Sequence, residues 1–373
     1  MYKKILVPLD GSILAEAVLP FVERVAQAEK SGVTLITVLE PPVEEMVEPS
    51  AQQREEGLVP HLDQVVERMT SYGKIYLKRV ARRLKEKGID VQDDVLLGRP
   101  ATEIANYANK NGVDLVAMST HGRGGITRWR YGSVANELLR SLTAPLFLLR
   151  SSGKASEASS YGSASQLLRV VVPLDGSKLA EQALAHAREL ASKLDLEIHL
   201  IRAVSQPTPA YMGPDAIDYY YDLDEILTRE AAAYMASVAQ QLEKEKFRVT
   251  VRVFHGFPAA NIVDYAAAIG QSIICITTHG RTGIGRALLG SVADKVLQES
   301  ESPVVMARAQ GTQHDSNNAL NRPTVSGPSA YLLPPHIQVE RLILSYHFIP
   351  QASDGQPARR RLSDGPWDVA VLA

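Results

Sequence analysis

Cysteine is almost absent from this chain, with one residue, Cys275, in 373. A lone cysteine cannot close an intrachain disulfide, and its setting in the apolar run Ile273-Ile274-Cys275-Ile276 marks it as core filler rather than a nucleophile. A reducing, cytoplasmic location is expected. An excess of one charge is also lacking. Against 40 lysines and arginines stand 42 aspartates and glutamates, so there is no field to gather nucleic acid. No apolar run is long enough to cross a bilayer: the most apolar region, residues 262–278, is interrupted by Asp264 and Gln271. The short apolar stretch ahead of Asp10 is not a signal peptide. Neither a membrane nor nucleic acid is expected as a partner.

What the chain does contain is the same text twice. Val7-Pro8-Leu9-Asp10-Gly11-Ser12 recurs as Val172-Pro173-Leu174-Asp175-Gly176-Ser177, 165 residues on. Thr120-His121-Gly122-Arg123 recurs as Thr278-His279-Gly280-Arg281, and Gly132-Ser133-Val134-Ala135 as Gly290-Ser291-Val292-Ala293, both 158 residues on. The second copy is therefore seven residues shorter between its first and second blocks. A duplicated domain is implied, with its chemistry in the shared blocks.

Within each copy short apolar runs alternate with helical periodicity. Residues 4–7 form an apolar run, Gly11-Ser12 breaks it, and Leu14, Val18, Phe21, Val22 and Val25 follow at helical spacing. Residues 168–172, with a stripe from Ala180 to Leu194, repeat the pattern. Second strands are predicted at 34–39 and 197–204, helices at 74–87 and 223–244, and third strands at 91–96 and 249–254. Gly98-Arg99-Pro100 and Gly256-Phe257-Pro258 then combine a turn glycine with a proline suited to a first helical position. Fourth strands at 115–118 and 273–276 run into glycine loops, helices start at Ser133 and Ser291, and last strands follow Pro145 and Pro303. Each half reads as α/β, five strands interleaved with four helices in a doubly wound parallel sheet.

The copies occupy residues 1–150 and 167–308. Between them, residues 151–166 are mostly serine, alanine and glycine, a flexible linker whose root-mean-square span is roughly 20–24 Å. The tail, residues 309–373, has no counterpart in the first half. Its asparagine-, serine- and proline-rich beginning is expected to be disordered. Residues 337–348 are apolar enough to pair as an edge strand or dock on a domain, and Arg359-Arg360-Arg361 reads as a solvated charge run.

Ligands of open parallel sheets bind outside the carboxyl ends of the strands, where chain order reverses. Asp10 and Asp175 follow the first strands, and the glycine loops follow the fourth. In each loop a glycine, Gly122 or Gly280, precedes Gly132-Ser133 or Gly290-Ser291 by nine residues. Such glycines let backbone amides approach an anion, and the helix behind them presents its positive end. Ser133 and Ser291 are suited to capping that helix, and Ser291 with Asp294 resembles a capping box. The same residues also suit a plain strand-to-helix turn, and the two aspartates also suit a first-helix cap shared with Ser12 and Ser177. Arg123 and Arg281 can reach a phosphate or stand in solvent. His121 and His279 have no partner at metal-ligand spacing, so no zinc site is expected.

Taken together these blocks resemble the universal stress protein family, in residues 1–150 and about 167–308. The resemblance implies a tandem member, with two five-stranded parallel sheets of order 3-2-1-4-5 flanked by helices. It implies ATP, with or without magnesium, as the ligand. Asp10 and Asp175 would contact the adenine, and Val38 and Ala203 would line its pocket. Gly122, Gly132 and Ser133, with Gly280, Gly290 and Ser291, would hold ribose and phosphates. The first glycine of the family pattern is replaced by Ser119 in one copy and Thr277 in the other, and Arg128-Trp129-Arg130-Tyr131 stands where the second copy has Arg286-Ala287-Leu288-Leu289. The family also suggests that the last strands, 146–149 and 304–307, pair with each other, and their apolar edges supply the motive.

The function expected is that of an ATP-binding stress-response regulator working through nucleotide occupancy and association, including homo-oligomerisation. No Gly-x4-Gly-Lys-Ser/Thr loop brings a lysine to the phosphates, and no repeated carboxylate beyond the first-strand aspartate could position a water. The chain is therefore not expected to be an enzyme, slow ATP hydrolysis aside. A nucleotide-free scaffold is the alternative. Adenylyl transfer is a weaker one, since the His-x-Gly-His signature is missing.

Overall fold

The computed structural model describes residues 1–40, 62–120, 132–150, 166–204, 217–278, 289–308 and 337–339. The first repeat runs β1 (Lys4–Pro8), α1 (Ile13–Glu16), α2 (Leu19–Glu29), β2 (Gly32–Leu39), α3 (Leu62–Lys85), β3 (Asp90–Leu97), α4 (Pro100–Asn111), β4 (Leu115–Ser119), α5 (Ser133–Ser141) and β5 (Leu146–Leu149). The second follows the same order: β6 (Arg169–Pro173), α6 (Lys178–Glu181), α7 (Ala183–Leu194), β7 (Glu197–Val204), α8 (Ile217–Lys244), β8 (Val249–His255), α9 (Pro258–Ile269), β9 (Ser272–Thr277), α10 (Ser291–Glu299) and β10 (Val304–Ala307). A last strand, β11 (Ile337–Val339), comes from the tail.

All these strands join one eleven-stranded sheet of order β11-β8-β7-β6-β9-β10-β5-β4-β1-β2-β3. Within each repeat the strands are parallel and ordered 3-2-1-4-5, so the first strand lies between the second and the fourth. The repeats meet where β5 pairs antiparallel with β10, Phe147 opposite Val305. The expected pairing of last strands is thus present, and it turns the strands of one repeat against those of the other.

Alternation along each strand divides the core between the two faces. Ile5 and Val7 point to a layer with α2, α3, α7 and α8, whereas Leu6 joins a layer with α4, α5, α9 and α10. Val170 and Val172 against Val171 repeat the division. Both layers run through the two repeats without interruption, and Cys275 sits fully inside the first.

Arginines stitch the seam. Arg308 donates to the carbonyls of Leu142 (2.8 Å) and Arg140 (3.4 Å) at the end of α5, and Arg150, its equivalent in the first repeat, donates to the Gln298 carbonyl (3.2 Å) in α10. Each repeat thereby places a cation at the negative end of the other's last helix. Arg24 of α2 reaches the carbonyls of Leu167 and Leu194, at 2.7 and 2.8 Å, and the Tyr2 hydroxyl meets His186 Nδ1 at 2.8 Å.

Two features differ from the sequence expectation, and a third fulfils one. The helices after the second strands begin earlier than expected, α3 at Leu62 and α8 at Ile217, and α3 ends at Lys85. The first helix is broken into two in each repeat. Pro20 cannot be the cause, since Ala185 occupies the same place in the second copy and the break recurs at Gln182. Finally, part of the 337–348 stretch is a strand, with Gln338 opposite Arg252 in a parallel pair. Of the expected linker, residues 151–166, all but Gln166 lie outside the described residues.

Candidate functional site

In each repeat the chain leaves the first strand through the same turn. Asp10 Oδ1 accepts from the Ser12 N–H (2.9 Å), Gly11 takes φ 84°, and Ser12 Oγ caps α1 by accepting from the Ala15 N–H (3.1 Å). In the second copy Asp175 accepts from Ser177 (2.9 Å), Gly176 has φ 85°, and Ser177 accepts from Ala180 (3.1 Å). Positive φ explains the glycine. Of the two roles open to each aspartate, the serine performs the capping, while the aspartate fixes the turn that brings the serine there.

The fourth strands end beside these turns, since β1 pairs with β4 and β6 with β9. The Thr120 N–H donates to the Leu149 carbonyl (2.9 Å), and its own carbonyl accepts from the Gly132 N–H (2.7 Å). Thr278 likewise donates to Ala307 (3.0 Å) and accepts from Gly290 (2.6 Å). Each glycine loop is therefore tied shut at its base, and a helix starts directly behind the tie. A Cβ on Gly132 would stand 2.7 Å from the Thr120 oxygen, closer than real atoms approach. Its φ of −52°, like the −63° of Gly290, suits any residue. Close approach, not a glycine-only conformation, is what requires glycine at position 132.

The same spacing corrects the expected caps. Gly132 and Gly290 occupy the N-cap positions, so Ser133 and Ser291 are the first helical residues. Among the described residues no side chain caps either helix, and no capping box forms: Asp294 Oδ2 accepts from Gln298 Nε2 (2.8 Å). The serine is displaced by one residue because the preceding glycine must pass against the threonine carbonyl.

Among the remaining expected residues, Ser119 is buried and its Oγ donates to the Leu149 carbonyl (3.3 Å). Thr277 is buried opposite Ala307 in the β9–β10 ladder. Val38 and Ala203 lie half-buried near the ends of the second strands, opposite Leu96 and Phe254. Gly122, Arg123, Gly280 and Arg281, with His121, His279 and Trp129, lie outside the described residues.

A tyrosine and a glutamate near each turn escaped the sequence reading. Tyr234 of α8 donates to Glu181 Oε1 (2.8 Å), and burial followed by this carboxylate pushes its hydroxyl well above the ordinary tyrosine range. Asp175 adds to the shift, and Arg202 stacks over the ring at 5.1 Å. In the first repeat Tyr76 is raised by burial and by Glu16, yet its hydroxyl is buried without a hydrogen bond of normal geometry. The Glu16 carboxylate faces Arg83 (2.8 Å) and Arg79 (3.6 Å) instead. The signal was present: Glu16 and Glu181 are 165 apart, and Tyr76 and Tyr234 are 158 apart. This also locates the seven missing residues, between the second strand and the middle of the following helix. Arg202 stands where the first repeat has Thr37, and a Cβ on Gly176 would lie 3.2 Å from its Nη1.

Because the repeats are antiparallel, the two sets of strand ends, each with its aspartate turn and tied loop, open on opposite rims of the sheet. Among the described residues no cluster of three histidine, cysteine or acidic side chains could hold a metal ion, and no helix is long and apolar enough to cross a membrane.

Two doubly wound repeats, each with a reversal of strand order at a tied glycine loop, define a tandem α/β protein of the switch-point class. The model of the universal stress protein family matches residues 1–150 and again 167–308, and the chain belongs to that family. A universal stress protein of Methanocaldococcus jannaschii is 29% identical over 140 residues, 38% of this chain and 81% of the relative. One of Mycolicibacterium smegmatis is 23% identical over 312 residues, 82% of this chain and 96% of the relative, and so spans both repeats. The crystal structure of a universal stress protein from Archaeoglobus fulgidus matches 83% of this chain and 100% of its own with a TM-score of 0.54. At 19% identity that is a likeness of fold.

Proposed function

We propose that this chain is an ATP-binding stress-response regulator that acts through nucleotide occupancy and association and not through turnover. The observation that carries the reading is the duplicate construction: an aspartate turn and a glycine-tied loop flank the switch point in both repeats with matching hydrogen bonds. The helices behind the ties start on glycine N-caps, which carry no side chain, and this suits N–H groups that meet phosphate oxygens. Asp10, Val38, Ser119, Gly122, Arg123, Gly132 and Ser133 form the first site. Asp175, Ala203, Thr277, Gly280, Arg281, Gly290 and Ser291 form the second. The nucleotide is ATP with or without magnesium, residues 151–166 link the binding repeats, and residues 309–373 are an appended tail. The protein works in the cytoplasm as a homo-oligomer.

A nucleotide-free scaffold is the second reading. Ser119 favours it, since a buried hydroxyl tied to the Leu149 carbonyl fills the place of the family's first glycine. Mass analysis of small molecules released on denaturing freshly purified protein separates the two. ATP or AMP is expected, and a protein that releases nothing and fails to bind added ATP is the scaffold.

A further inference from the structure

The two ends of the sheet are guarded differently. At one end β3 is the last strand, and its exposed residues Asp90, Gln92 and Asp94 put carboxylates along the edge. At the other end the equivalent strand, β8, has Val251 and Arg252 where β3 has Asp93 and Asp94; Arg248, in the place of Asp90, lies just ahead of β8 and is paired with Asp195 at 3.1 Å. An apolar edge invites another strand, and charges of one sign along an edge discourage a second edge of the same sign while leaving it open to one of the opposite sign. Among the described residues β8 is covered by β11 at Val251, Arg252 and Val253, three of its seven residues. The acidic edge is bare of any described strand, and the edge that carries Arg252 holds a short one.

We propose that β11 is an internal plug, and that the strand fitted to the β8 edge in its place is β3 of a second copy. Charge selects this occupant. Two β8 edges would set arginines against arginines and two β3 edges aspartates against aspartates, each unfavourable, whereas β3 on β8 joins opposite charges. Length agrees, since β3 has eight residues to cover the seven of β8. Direction agrees as well: β3 runs against β8, as β5 runs against β10, so a second copy displaced along the sheet in the same orientation presents an antiparallel partner. A contact between two different edges does not close on itself, so unplugged copies add end to end. The association is independent of nucleotide.

The experiment is sedimentation velocity on the full chain carrying both Gln338→Pro and Val339→Pro, at rising concentration in low salt. Successive N–H groups of an edge strand point alternately inward and outward, so one of the two prolines removes an inward donor whichever way the ladder alternates. The unplugged chain is expected to grow with concentration to a weight-average mass at least twofold above the unaltered chain, and to shrink as salt screens the edges. Adding Asp94→Arg should return it to the unaltered size, and adding Arg252→Asp as well should restore growth. The proposal is overturned if the unplugged chain sediments like the unaltered one, or forms a closed dimer indifferent to Asp94→Arg. Circular dichroism showing global unfolding would also overturn it, since β11 would then belong to the fold and not be a plug.

Discussion

His186 is held neutral by its surroundings. Burial lowers its pKa to about 4, and its Nδ1 faces the Tyr2 hydroxyl at 2.8 Å across the joint between repeats. The unfolded ring takes a proton as pH falls through its ordinary 6.5, whereas the folded ring waits until about 4. Between those values the unfolded chain binds more protons, so stability falls with falling pH, and the contribution levels off below about 4. The loss should reach on the order of 3 kcal/mol. Urea midpoints at pH 7 and pH 4 should therefore differ less in His186→Gln than in the unaltered chain. Gly132 is constrained in another way, by a carbonyl 2.7 Å from where its Cβ would be. Gly132→Ala should cost about 1–3 kcal/mol in thermal unfolding, as overpacking does, and should loosen the loop tie. An alanine variant as stable as the parent would show that the threonine carbonyl yields.

At the scale of elements, the arginine at the end of each last strand acts on a helix of the opposite repeat. Arg308 makes two such hydrogen bonds and is half-buried, while Arg150 makes one at 3.2 Å and is exposed. Arg308→Ala should destabilise by about 1–2 kcal/mol and Arg150→Ala by less, read from urea unfolding of each variant. Duplication and periodicity made the strands, their order of appearance and the proline-led helices α4 and α9 legible in the sequence. Both aspartate turns, and the helix starts at the far ends of the glycine loops, were legible as well. The displaced caps were not, because a serine looks the same whether it caps a helix or begins one, and only the glycine–threonine contact decides between them. The Glu16–Tyr76 and Glu181–Tyr234 neighbours were hidden by distance along the chain, though their spacing carried the repeat offsets. The break between α1 and α2 leaves no mark in composition, since a proline and an alanine give the same break.

At the scale of the molecule, the antiparallel seam decides what kind of binder this architecture makes. Sites of the proposed kind, on opposite rims of one sheet, could not both engage ligands held close against a single flat surface. Doubling the site therefore confers no avidity toward such a surface, because simultaneous engagement is forbidden by geometry. Two surfaces facing each other are another matter, and between them the chain would serve as a bridge one sheet thick in strand length.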